Sequence, residues 1–411
     1  GVKMDATNIS LTTTSGAITI TGTGGAGSSS NAGIVLDGTA LTTTSGTVTL
    51  TGVGGAGASG NFNYGVWLSS PTTLNINDGA LTISGTGGAS ATDFNYGIFL
   101  DGDGATLDSV AIVAAGGSIT LNGTGGAGAD DENHGINIEG GSRVRSTGSA
   151  LITLNGTGGG LDQYNRGIVL QANGVTATGV SSAGGAIALT GRAAGTGGDS
   201  QGIRMDGATI SGSGGAAIAL TGTGAGAGAT GNNHGIEMTN NAVLTATGGA
   251  VSLNGTGGGS TGNNTGLALW NGATIGGAGA ASITITGVAT GSGNDFADST
   301  DNGSTYLIGG ATMTGDILFN TNTVRMNAVT NVRTQGSITV RPRTASATIG
   351  LGGSTGTLHL DDTELGYFNA DGTLTIGDMA AGTGAVNISS WDYSGKSHDV
   401  VTVGGTTTIA G

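Results

Sequence analysis

The sequence predicts an all-β chain coiled into a parallel β-helix, and two periodic motifs predict it. The motif G-T-G-G-A-G, or a near copy, recurs about every 33 residues and begins at Gly22, Gly52, Gly85, Gly123, Gly156, Gly191, Gly222, Gly255 and Gly287. A second motif, N-x-G followed by an aliphatic residue, places its glycine at Gly33, Gly65, Gly97, Gly135, Gly167, Gly202, Gly235 and Gly266. A fixed period of this length is typical of a solenoid, in which one supersecondary unit stacks on copies of itself.

Each repeat contains two clear strands and a weaker third. Before each G-T-G-G motif, two aliphatic residues two positions apart, such as Ile119 and Leu121, point to one face of a strand and are predicted to be buried together. The same pattern follows each N-x-G motif. Shorter strand-like segments, such as 242–245, lie between the two, and Gly, Asn and Asp turns join them. We therefore predict about nine turns of ~33 residues.

The alternate residues of the two clear strands are predicted to face outward. Before G-T-G-G they are small or β-branched: Thr19, Thr49, Thr82, Thr120, Thr153, Ala188, Ala219, Ser252 and Thr284. After N-x-G they are mixed, as solvent-facing positions usually are: Val35, Trp67, Phe99, Asn137, Val169, Arg204, Glu237 and Ala268. The first row raises ice binding as a candidate function, because flat ranks of threonine can order water. The alanines interrupt this row, and any exposed strand favours β-branched residues.

One polar residue recurs at a corner of the predicted coil. It is an asparagine at Asn31, Asn63, Asn95, Asn133, Asn165, Asn233 and Asn264, with Ser200 as the exception. In-register turns lie ~4.7–4.9 Å apart, so identical asparagine side chains can hydrogen-bond to one another as a ladder. Asparagine also tolerates the left-handed backbone that a tight corner demands. We interpret the row as structural.

The last quarter of the chain follows a different pattern. From about Asp301 both motifs stop, while strand-like segments continue at shorter intervals, as at 317–319, 337–340 and 373–376. We predict two regions: residues 1–300, with ~33-residue repeats and side loops, and residues 301–411, a continuing β-helix with shorter, irregular turns. The final residues read as the middle of a strand and turn, so we expect an internal piece of a longer protein.

Composition argues against several classes of protein. The net charge of −15 and the pI near 4.3 argue against nucleic acid and anionic membranes as partners, because both require basic surfaces. The sequence has no run of ~18 apolar residues, so we expect no membrane insertion. It also has no cysteine, so its stability must come from the stacking of turns.

The last quarter also carries a family resemblance. The segments G-S-I-T-V-R-P (336–342), I-G-L-G-G (349–353), G-T-L-H-L-D-D-T-E-L (356–365) and L-T-I-G (374–377) resemble segments of giant bacterial exoproteins of the filamentous haemagglutinin type. The upstream repeats are similar to the long arrays of those proteins, some of which are described as S-layer family proteins. The resemblance implies a right-handed parallel β-helix exported to the cell surface, with a role in adhesion, aggregation or matrix.

Carboxylates raise the possibility of an enzyme. A polysaccharide-processing enzyme would need two or three carboxylates gathered on one sheet face. The most prominent ones, Asp37, Asp101, Asp206 and Glu237, are expected to come from different turns and strand phases. The four histidines share no neighbours that would form a triad. We therefore predict no catalytic residues and no cofactor other than a candidate calcium ion.

The candidate calcium site is the oxygen-rich run 294–302. It contains Asp295, Asp298 and Asp301, and hard cations favour such oxygen ligands. The run matches no defined calcium-binding loop, so an ordinary solvated acidic loop is the alternative.

Aromatic residues cluster on two consecutive repeats. Of these, Tyr64, Trp67, Tyr96 and Phe99 are candidate ligand-binding residues, since exposed rings can stack on sugars or anchor a partner. If the rings are buried, they fill the base of the side loop instead.

These features predict a non-catalytic, extracellular structural or adhesive protein, a β-helical rod of a cell-surface or matrix fibre. The expected partners are further copies of the chain, end to end or laterally in a filament, because terminal turns offer unpaired strand edges. Surface glycans or matrix are the other expected partners. A carbohydrate-binding adhesin stalk is the main alternative, and a polysaccharide-processing β-helix enzyme and an ice-binding solenoid are further alternatives.

Overall fold

The predicted parallel β-helix is confirmed by a computed structural model. The structure describes residues 1–5, 9–27, 29–56, 60–89, 93–128, 131–174, 178–226, 228–298, 304–327, 329–391, 396 and 398–410. Parallel sheets stack there into a β-solenoid of about 11 turns, with almost no helix.

The strands of the described chain are short and follow one another in a repeating order of three. The first fifteen are β1 (Val2–Met4), β2 (Ile9–Thr13), β3 (Ile18–Thr23), β4 (Ile34–Asp37), β5 (Thr39–Thr43), β6 (Val48–Val53), β7 (Val66–Ser69), β8 (Thr72–Ile76), β9 (Leu81–Thr86), β10 (Ile98–Asp101), β11 (Val110–Ala114), β12 (Ile119–Thr124), β13 (Ile136–Glu139), β14 (Arg143–Ser146) and β15 (Ile152–Thr157). The next thirteen are β16 (Ile168–Gln171), β17 (Gly179–Ser182), β18 (Ile187–Arg192), β19 (Ile203–Asp206), β20 (Thr209–Gly212), β21 (Ile218–Thr223), β22 (Ile236–Thr239), β23 (Val243–Thr247), β24 (Ala250–Thr256), β25 (Asn263–Asn264), β26 (Leu267–Leu269), β27 (Thr274–Ala278) and β28 (Ser282–Val288). The last elements are β29 (Thr290–Gly291), β30 (Phe296–Asp298), β31 (Thr305–Gly309), β32 (Ile317–Asn320), β33 (Val324–Arg325), β34 (Val329–Thr334), β35 (Ile338–Arg341), β36 (Ile349–Gly352), β37 (Leu358–Leu360), α1 (Asp362–Gly366), β38 (Phe368–Ala370), β39 (Leu374–Gly377), β40 (Val386–Ser389), β41 (Val400–Val403) and β42 (Thr407–Ala410).

Three long parallel sheets enclose the core. Sheet 1 runs β1-β4-β7-β10-β13-β16-β19-β22-β26-β30-β33, sheet 2 runs β2-β5-β8-β11-β14-β17-β20-β23-β27-β31-β34-β38, and sheet 3 runs β3-β6-β9-β12-β15-β18-β21-β24-β28-β32-β35-β39-β41. Turns 2 to 9 enter sheet 1 at an N-x-G corner, or in turn 7 at its Ser200 counterpart. They then pass through sheets 2 and 3 and end in a side loop that leads to the next turn. Turn 1 contains β1, turn 2 contains β4, and turn 9 contains β26.

The strict register of the strands produces the core. Equivalent residues lie side by side in neighbouring turns, as Ile119 does with Ile152 and Leu121 with Leu154. Alternate residues of each strand point inward, and these four side chains are fully buried. Burying one such side chain contributes about 1.5–3 kcal/mol relative to exposing it. The period-2 pattern of the sequence therefore becomes one continuous aliphatic core.

The last part of the chain adds smaller elements to the three sheets. Strands predicted at 317–319, 337–340 and 373–376 are present as β32, β35 and β39, and each belongs to sheet 3. A further sheet has the order β37-β36-β40-β42, and β25 pairs antiparallel with β29. The predicted boundary between the two regions falls at 299–303, outside the described residues.

Helix α1 was not predicted, although the sequence carries its start signal. The side chain of Asp361 accepts a hydrogen bond from the N–H of Glu364, and the side chain of Glu364 accepts one from the N–H of Asp361. This reciprocal capping box satisfies two backbone donors at the start of a helix. The D-x-x-E spacing was the available signal.

Candidate functional site

The two glycine motifs face each other at the base of each side loop. A Cβ atom on Gly123 would lie 2.1 Å from the carbonyl oxygen of Gly135, and one on Gly135 would lie 2.4 Å from the nitrogen of Thr157. The backbone leaving sheet 3 and the backbone entering sheet 1 are thus too close for any side chain. We call this pair the neck of the side loop. Its role is structural.

The asparagine row lies along the corner beside the neck and forms a ladder. From Asn31 to Asn233, each corner residue donates its backbone N–H to the side-chain oxygen of the corner residue one turn on, at 2.8–3.1 Å. Side-chain amides also bond to each other, linking Asn31, Asn63, Asn95 and Asn133 in series. Ser200 maintains the ladder because its hydroxyl accepts the N–H of Asn165 at 3.1 Å.

The left-handed backbone lies one residue before the ladder. Six residues that precede a ladder position have φ between 53° and 66°: Ser30, Phe62, Phe94, Glu132, Tyr164 and Asp199. The expectation that the asparagine itself adopts this conformation is therefore wrong at these corners. Asparagine is needed there for its side-chain oxygen, which accepts a hydrogen bond from the turn before.

A second column of side chains, the cover column, packs over the outer face of sheet 1. It consists of the middle residues of the N-x-G motifs and of their Ser200 counterpart: Ala32, Tyr64, Tyr96, His134, Arg166, Gln201, His234 and Thr265. All are at most 9% exposed. Beneath them the outward positions of sheet 1 are buried at Val35, Phe99, Asn137, Val169 and Ala268, and half-buried at Trp67, Arg204 and Glu237. The expectation that these positions face solvent is wrong for the five buried residues, because the end of each side loop folds back over the sheet. The three half-buried residues keep partial exposure.

In turns 3 to 5 the cover column is aromatic and closes the outer face. The rings of Tyr64 and Tyr96 stack with their centroids 5.4 Å apart, and Tyr96 stacks on His134 at 4.8 Å. Phe99 packs against both tyrosines, at 5.1 and 5.2 Å. Trp67 lies edge-on to Tyr64 at 5.6 Å. These rings form a small core of their own outside the sheet.

The candidate ligand-binding residues are thus mostly enclosed. Tyr64, Tyr96 and Phe99 are 5%, 6% and 7% exposed, and Trp67 is half-buried. Burial raises the pKa of Tyr96 well above its ordinary value, so its hydroxyl stays neutral. Phe62, with 42% exposure, presents the most open ring of the cluster. This packing agrees with the alternative that the rings fill the base of the side loop.

Beyond turn 5 the cover column becomes polar. The Nδ1 atom of His134 accepts the backbone N–H of Arg166 at 3.4 Å, and Nε of Arg166 donates to Gln201 Oε1 at 2.6 Å. Burial, aided by nearby Arg204, lowers the pKa of Arg166 to about 10. Burial lowers the pKa of His134 well below its ordinary value. At neutral pH the column therefore carries a charged guanidinium beside a neutral imidazole.

In turns 7 to 9 the outer face opens into a groove of about 270 Å³. Arg204 points outward from β19 between two carboxylates. Its Nη2 lies 2.9 Å from Asp206 Oδ2, and its Nε lies 3.5 Å from Glu237 Oε1. The guanidinium is thus already paired, while both carboxylates keep lone pairs directed outward.

His234 lines this groove with an unpaired donor. Its Nδ1 accepts the backbone N–H of Thr265 at 3.1 Å, so the ring proton is assigned to Nε2. The ring is fully buried, and Nε2 has no hydrogen-bond partner. The nearest carboxylate oxygen, on Glu237, is 3.9 Å away, which is too long for a hydrogen bond. The ring of Trp270 lies 5.8 Å from the imidazole and lines the groove with it.

The outward carboxylates share a strand position more often than the sequence suggested. Asp37, Asp101 and Asp206 all end their sheet 1 strands, β4, β10 and β19, whereas Glu237 is second in β22. The expectation of different strand phases is therefore wrong for the three aspartates. Asp101 lies beside Glu139 in the register, and burial raises the pKa of both carboxyl groups.

Both members of this neighbouring pair are held by protein donors. Asp101 Oδ2 accepts from Trp67 Nε1 at 3.1 Å, and Glu139 Oε2 accepts from Asn137 Nδ2 at 3.0 Å. These bonds hold the carboxylates against the closed part of sheet 1.

The described aspartates of the candidate calcium site bridge neighbouring turns. Asp295 Oδ2 accepts the N–H of Asn322 at 2.5 Å, and Asp298 Oδ1 accepts the N–H of Asn327 at 2.6 Å. Both side chains are buried, and Asp301 lies outside the described residues. Among the described side chains, no group of three or more Asp, Glu, His or Cys residues is placed to hold a metal. Hydrogen bonding explains the two buried aspartates, and calcium binding stays a prediction.

The outward row of sheet 3 is exposed or half-buried along its length. Thr82, Thr120 and Thr153 lie beside one another in register, and Ala188 continues the row. The strands that carry this row are thus in regular register, while alanine interrupts the row of threonine side chains. Ice binding stays a prediction.

In the described chain, no helix has the length and apolar character needed to cross a membrane. Compared with known proteins, the chain matches no family model, no curated protein and no solved structure. The resemblance to exoproteins of the filamentous haemagglutinin type therefore stays a prediction.

Proposed function

We propose that this chain is a non-catalytic structural and adhesive rod of a cell surface or extracellular matrix. The observation that carries the proposal is the unbroken stacking of three parallel sheets over about 11 turns. In such a stack each turn contacts only its neighbours, and the product is an extended, regular surface. An extended surface suits adhesion and assembly better than it suits the chemistry of an enclosed site.

The buried polar groups support this proposal. The ladder asparagines, Asp295 and Asp298 use their side-chain oxygens to join one turn to the next. A buried polar atom that is satisfied in this way stabilises the coil. The extracellular location is supported by composition: the chain has 11 lysines and arginines in 411 residues, and so offers few cleavage sites to trypsin-like proteases.

Immunogold electron microscopy of the cells that produce the chain tests the proposal. Antibodies raised against the purified protein should label the outer surface or the surrounding matrix, and pre-immune serum should not. Label confined to the cell interior would contradict the proposal. Negative-stain images of the purified protein at rising concentration would then separate the two modes of action, since a fibre subunit should form filaments and an adhesive stalk should stay as short rods.

A further inference from the structure

We propose that the open groove on turns 7 to 9 binds an uncharged oligosaccharide. This inference rests on the proposed function, because it names a partner for the rod's surface. It places the binding site in a different part of the chain from the aromatic cluster of turns 3 to 5.

The groove has the extent that a short sugar chain needs. The 270 Å³ groove beside Arg204 and Trp270 adjoins a larger one of about 730 Å³ at the corner between sheets 1 and 2, and Asn240 lines both. The combined lining reaches from Gln171 in turn 6 to Asn271 in turn 9. Three intervals at the strand spacing give roughly 14 Å along the axis. The two grooves share Asn240 and together extend along the axis of the coil.

Amide and carboxylate groups follow the two grooves from turn to turn. Asn240 Nδ2 donates to Asp206 Oδ1 at 2.7 Å, and Asn271 Nδ2 donates to Asn240 Oδ1 at 3.1 Å. Each of these groups has capacity for a further hydrogen bond, because a carboxylate offers about four acceptor positions and an amide offers two donors. Alternating donors and acceptors of this kind match the hydroxyl groups of a sugar.

His234 supplies the second, independent observation. Its Nε2–H is buried and unpaired, and it faces the same space as Glu237. A buried donor without a partner is unfavourable, so a group that satisfies it gains affinity. A ligand hydroxyl between the two side chains could accept from Nε2 and donate to Glu237 at the same time. Few ligand groups other than a hydroxyl both accept and donate in this way.

Trp270 adds the apolar contact. It is half-buried and lines the groove beside His234. An indole combines a large apolar face with a polar edge, so it can pack against the apolar face of a sugar ring while hydroxyls reach the polar groups.

Charge argues for an uncharged ligand. The groove is lined by the carboxylates of Asp199, Asp206 and Glu237, and its one guanidinium, Arg204, is paired with two of them. The whole chain also carries a net charge of −15. An anionic glycan would meet repulsion that a neutral one does not. A peptide is disfavoured too, because Trp270 and Val243 are the only apolar side chains larger than alanine among the residues that line the two grooves.

Isothermal titration calorimetry with defined pentasaccharides tests the proposal. The neutral probes are cellopentaose, laminaripentaose, maltopentaose and mannopentaose, and the anionic probe is pentagalacturonate. We expect saturable binding of at least one neutral probe and weaker or no binding of the anionic one. Failure of all four neutral probes, or preference for pentagalacturonate, would overturn the proposal.

Variants locate the site. Trp270→Ala and His234→Asn should each weaken binding at least about tenfold. Asparagine can keep an acceptor, its Oδ1, for the N–H of Thr265 and has no donor at the position of Nε2. Trp270→Phe should retain part of the affinity. Trp67→Ala, in the closed part of the same sheet face, is the matched control and should bind as the wild type does. Loss at Trp67 with no loss at Trp270 would overturn the assignment and move the site to turns 3 to 5.

Surface labelling by immunogold without binding of any neutral probe would reject this inference and leave the proposed function standing.

Discussion

Turns 3 to 5 and turns 7 to 9 present the same positions of the same sheet to the outside, yet one stretch is closed and the other is open. In turn 4 the cover residue and the outward strand residue are Tyr96 and Phe99, which pack ring against ring at 5.2 Å. In turn 8 the equivalent pair is His234 and Glu237, and the distance of 3.9 Å between His234 Nε2 and Glu237 Oε2 is too long for a hydrogen bond. The backbone register thus brings the cover residue and the outward strand residue together in both stretches. The size and polarity of these two side chains then determine whether they form a packed core or line a groove.

If the two stretches share one scaffold, damage to the neck glycines should be equally severe in both. Gly123→Ala, in the closed stretch, and Gly222→Ala, close to the open one, would each place a Cβ 2.1 Å from a facing carbonyl oxygen. We expect each to lose about 3 kcal/mol or more of unfolding free energy, since backbone must move to relieve the clash. Urea denaturation followed by circular dichroism measures the loss.

The matched control is Gly226→Ala. A Cβ at this position meets no atom within 4 Å, so its effect should stay within about 0.5 kcal/mol. A tolerated alanine at one neck and not the other would show that the two stretches do not share a scaffold.

The outer faces themselves should respond very differently to truncation. Tyr96→Ala removes a ring that stacks on Tyr64 and His134, and should cost about 3 kcal/mol, the low end for a buried aromatic ring. Trp270→Ala removes a half-buried ring at a groove and should cost about 1 kcal/mol. Thermal and urea unfolding of both variants measure the difference. Equal losses would mean that turns 7 to 9 are packed as tightly as turns 3 to 5.

The asparagine ladder also differs between the two stretches, because its side-chain acceptors are not the same in each. Asn133→Ala removes the acceptor of two donors of Asn95, its N–H and its Nδ2, and should cost about 2 kcal/mol. Ser200→Ala removes the acceptor of one donor, the N–H of Asn165, and should cost about 1 kcal/mol. The urea midpoints of the two variants give the ratio.

Asn31→Ala provides the control for the ladder. The side-chain oxygen of Asn31 accepts an exposed N–H of Gly27, so its removal leaves no buried donor without a partner. The variant also loses the amide bond to Asn63 Oδ1, but that oxygen keeps the backbone N–H of residue 31. The cost should stay below about 0.5 kcal/mol. A loss at Asn31 as large as that at Asn133 would contradict the view that buried donors set the energy of the ladder.

The smallest expected effect concerns the carboxylate pair of the closed stretch. Burial and, after it, the charge of Asp101 raise the pKa of Glu139. The folded state therefore binds this proton more tightly than the unfolded state, and the group's contribution to stability falls as pH rises from the unfolded pKa through the raised folded pKa. Glu139→Gln should raise the melting temperature at pH 7 and leave it unchanged near pH 4.

Asp103→Asn serves as the control of opposite sign. Hydrogen bonds from Thr106 lower the pKa of the exposed Asp103 carboxyl group, so its replacement should not stabilise the protein at pH 7. A gain for both variants would point to a general effect of net charge and not to the burial of Glu139.

The coil was predictable because its signals are local. Inward pairs such as Ile119 and Leu121 follow the two-residue period of a strand, and the glycine motifs mark the side-loop necks of turns 1 to 8. Helix α1 also has a local signal, the capping box of Asp361 and Glu364, although the helix was not predicted from it. The sequence is informative where the conformation of a short segment is set by its own residues.

The cover column was not predictable from local pattern. It forms because the side loop returns over sheet 1, and the length and direction of that return are tertiary features. For the same reason Phe99 and Val169 were expected in solvent, and Asp101 and Asp206 were assigned to unrelated phases. The groove depends on the pairing of His234 with Thr265 one turn away, a contact that no spacing in a single repeat reveals.

Hydroxyl-radical footprinting with mass spectrometry tests directly whether the outer face of sheet 1 is closed in turns 3 to 5 and open in turns 7 to 9. The rate at which an aromatic side chain is modified, divided by the intrinsic reactivity of its residue type, rises with its exposure, and the native protein reports each side chain separately. We expect slow modification of Tyr64, Tyr96 and Phe99 and faster modification of half-buried Trp270, with exposed Phe62 as the internal standard. Modification of Tyr96 and Phe99 as fast as that of Phe62 would contradict this expectation.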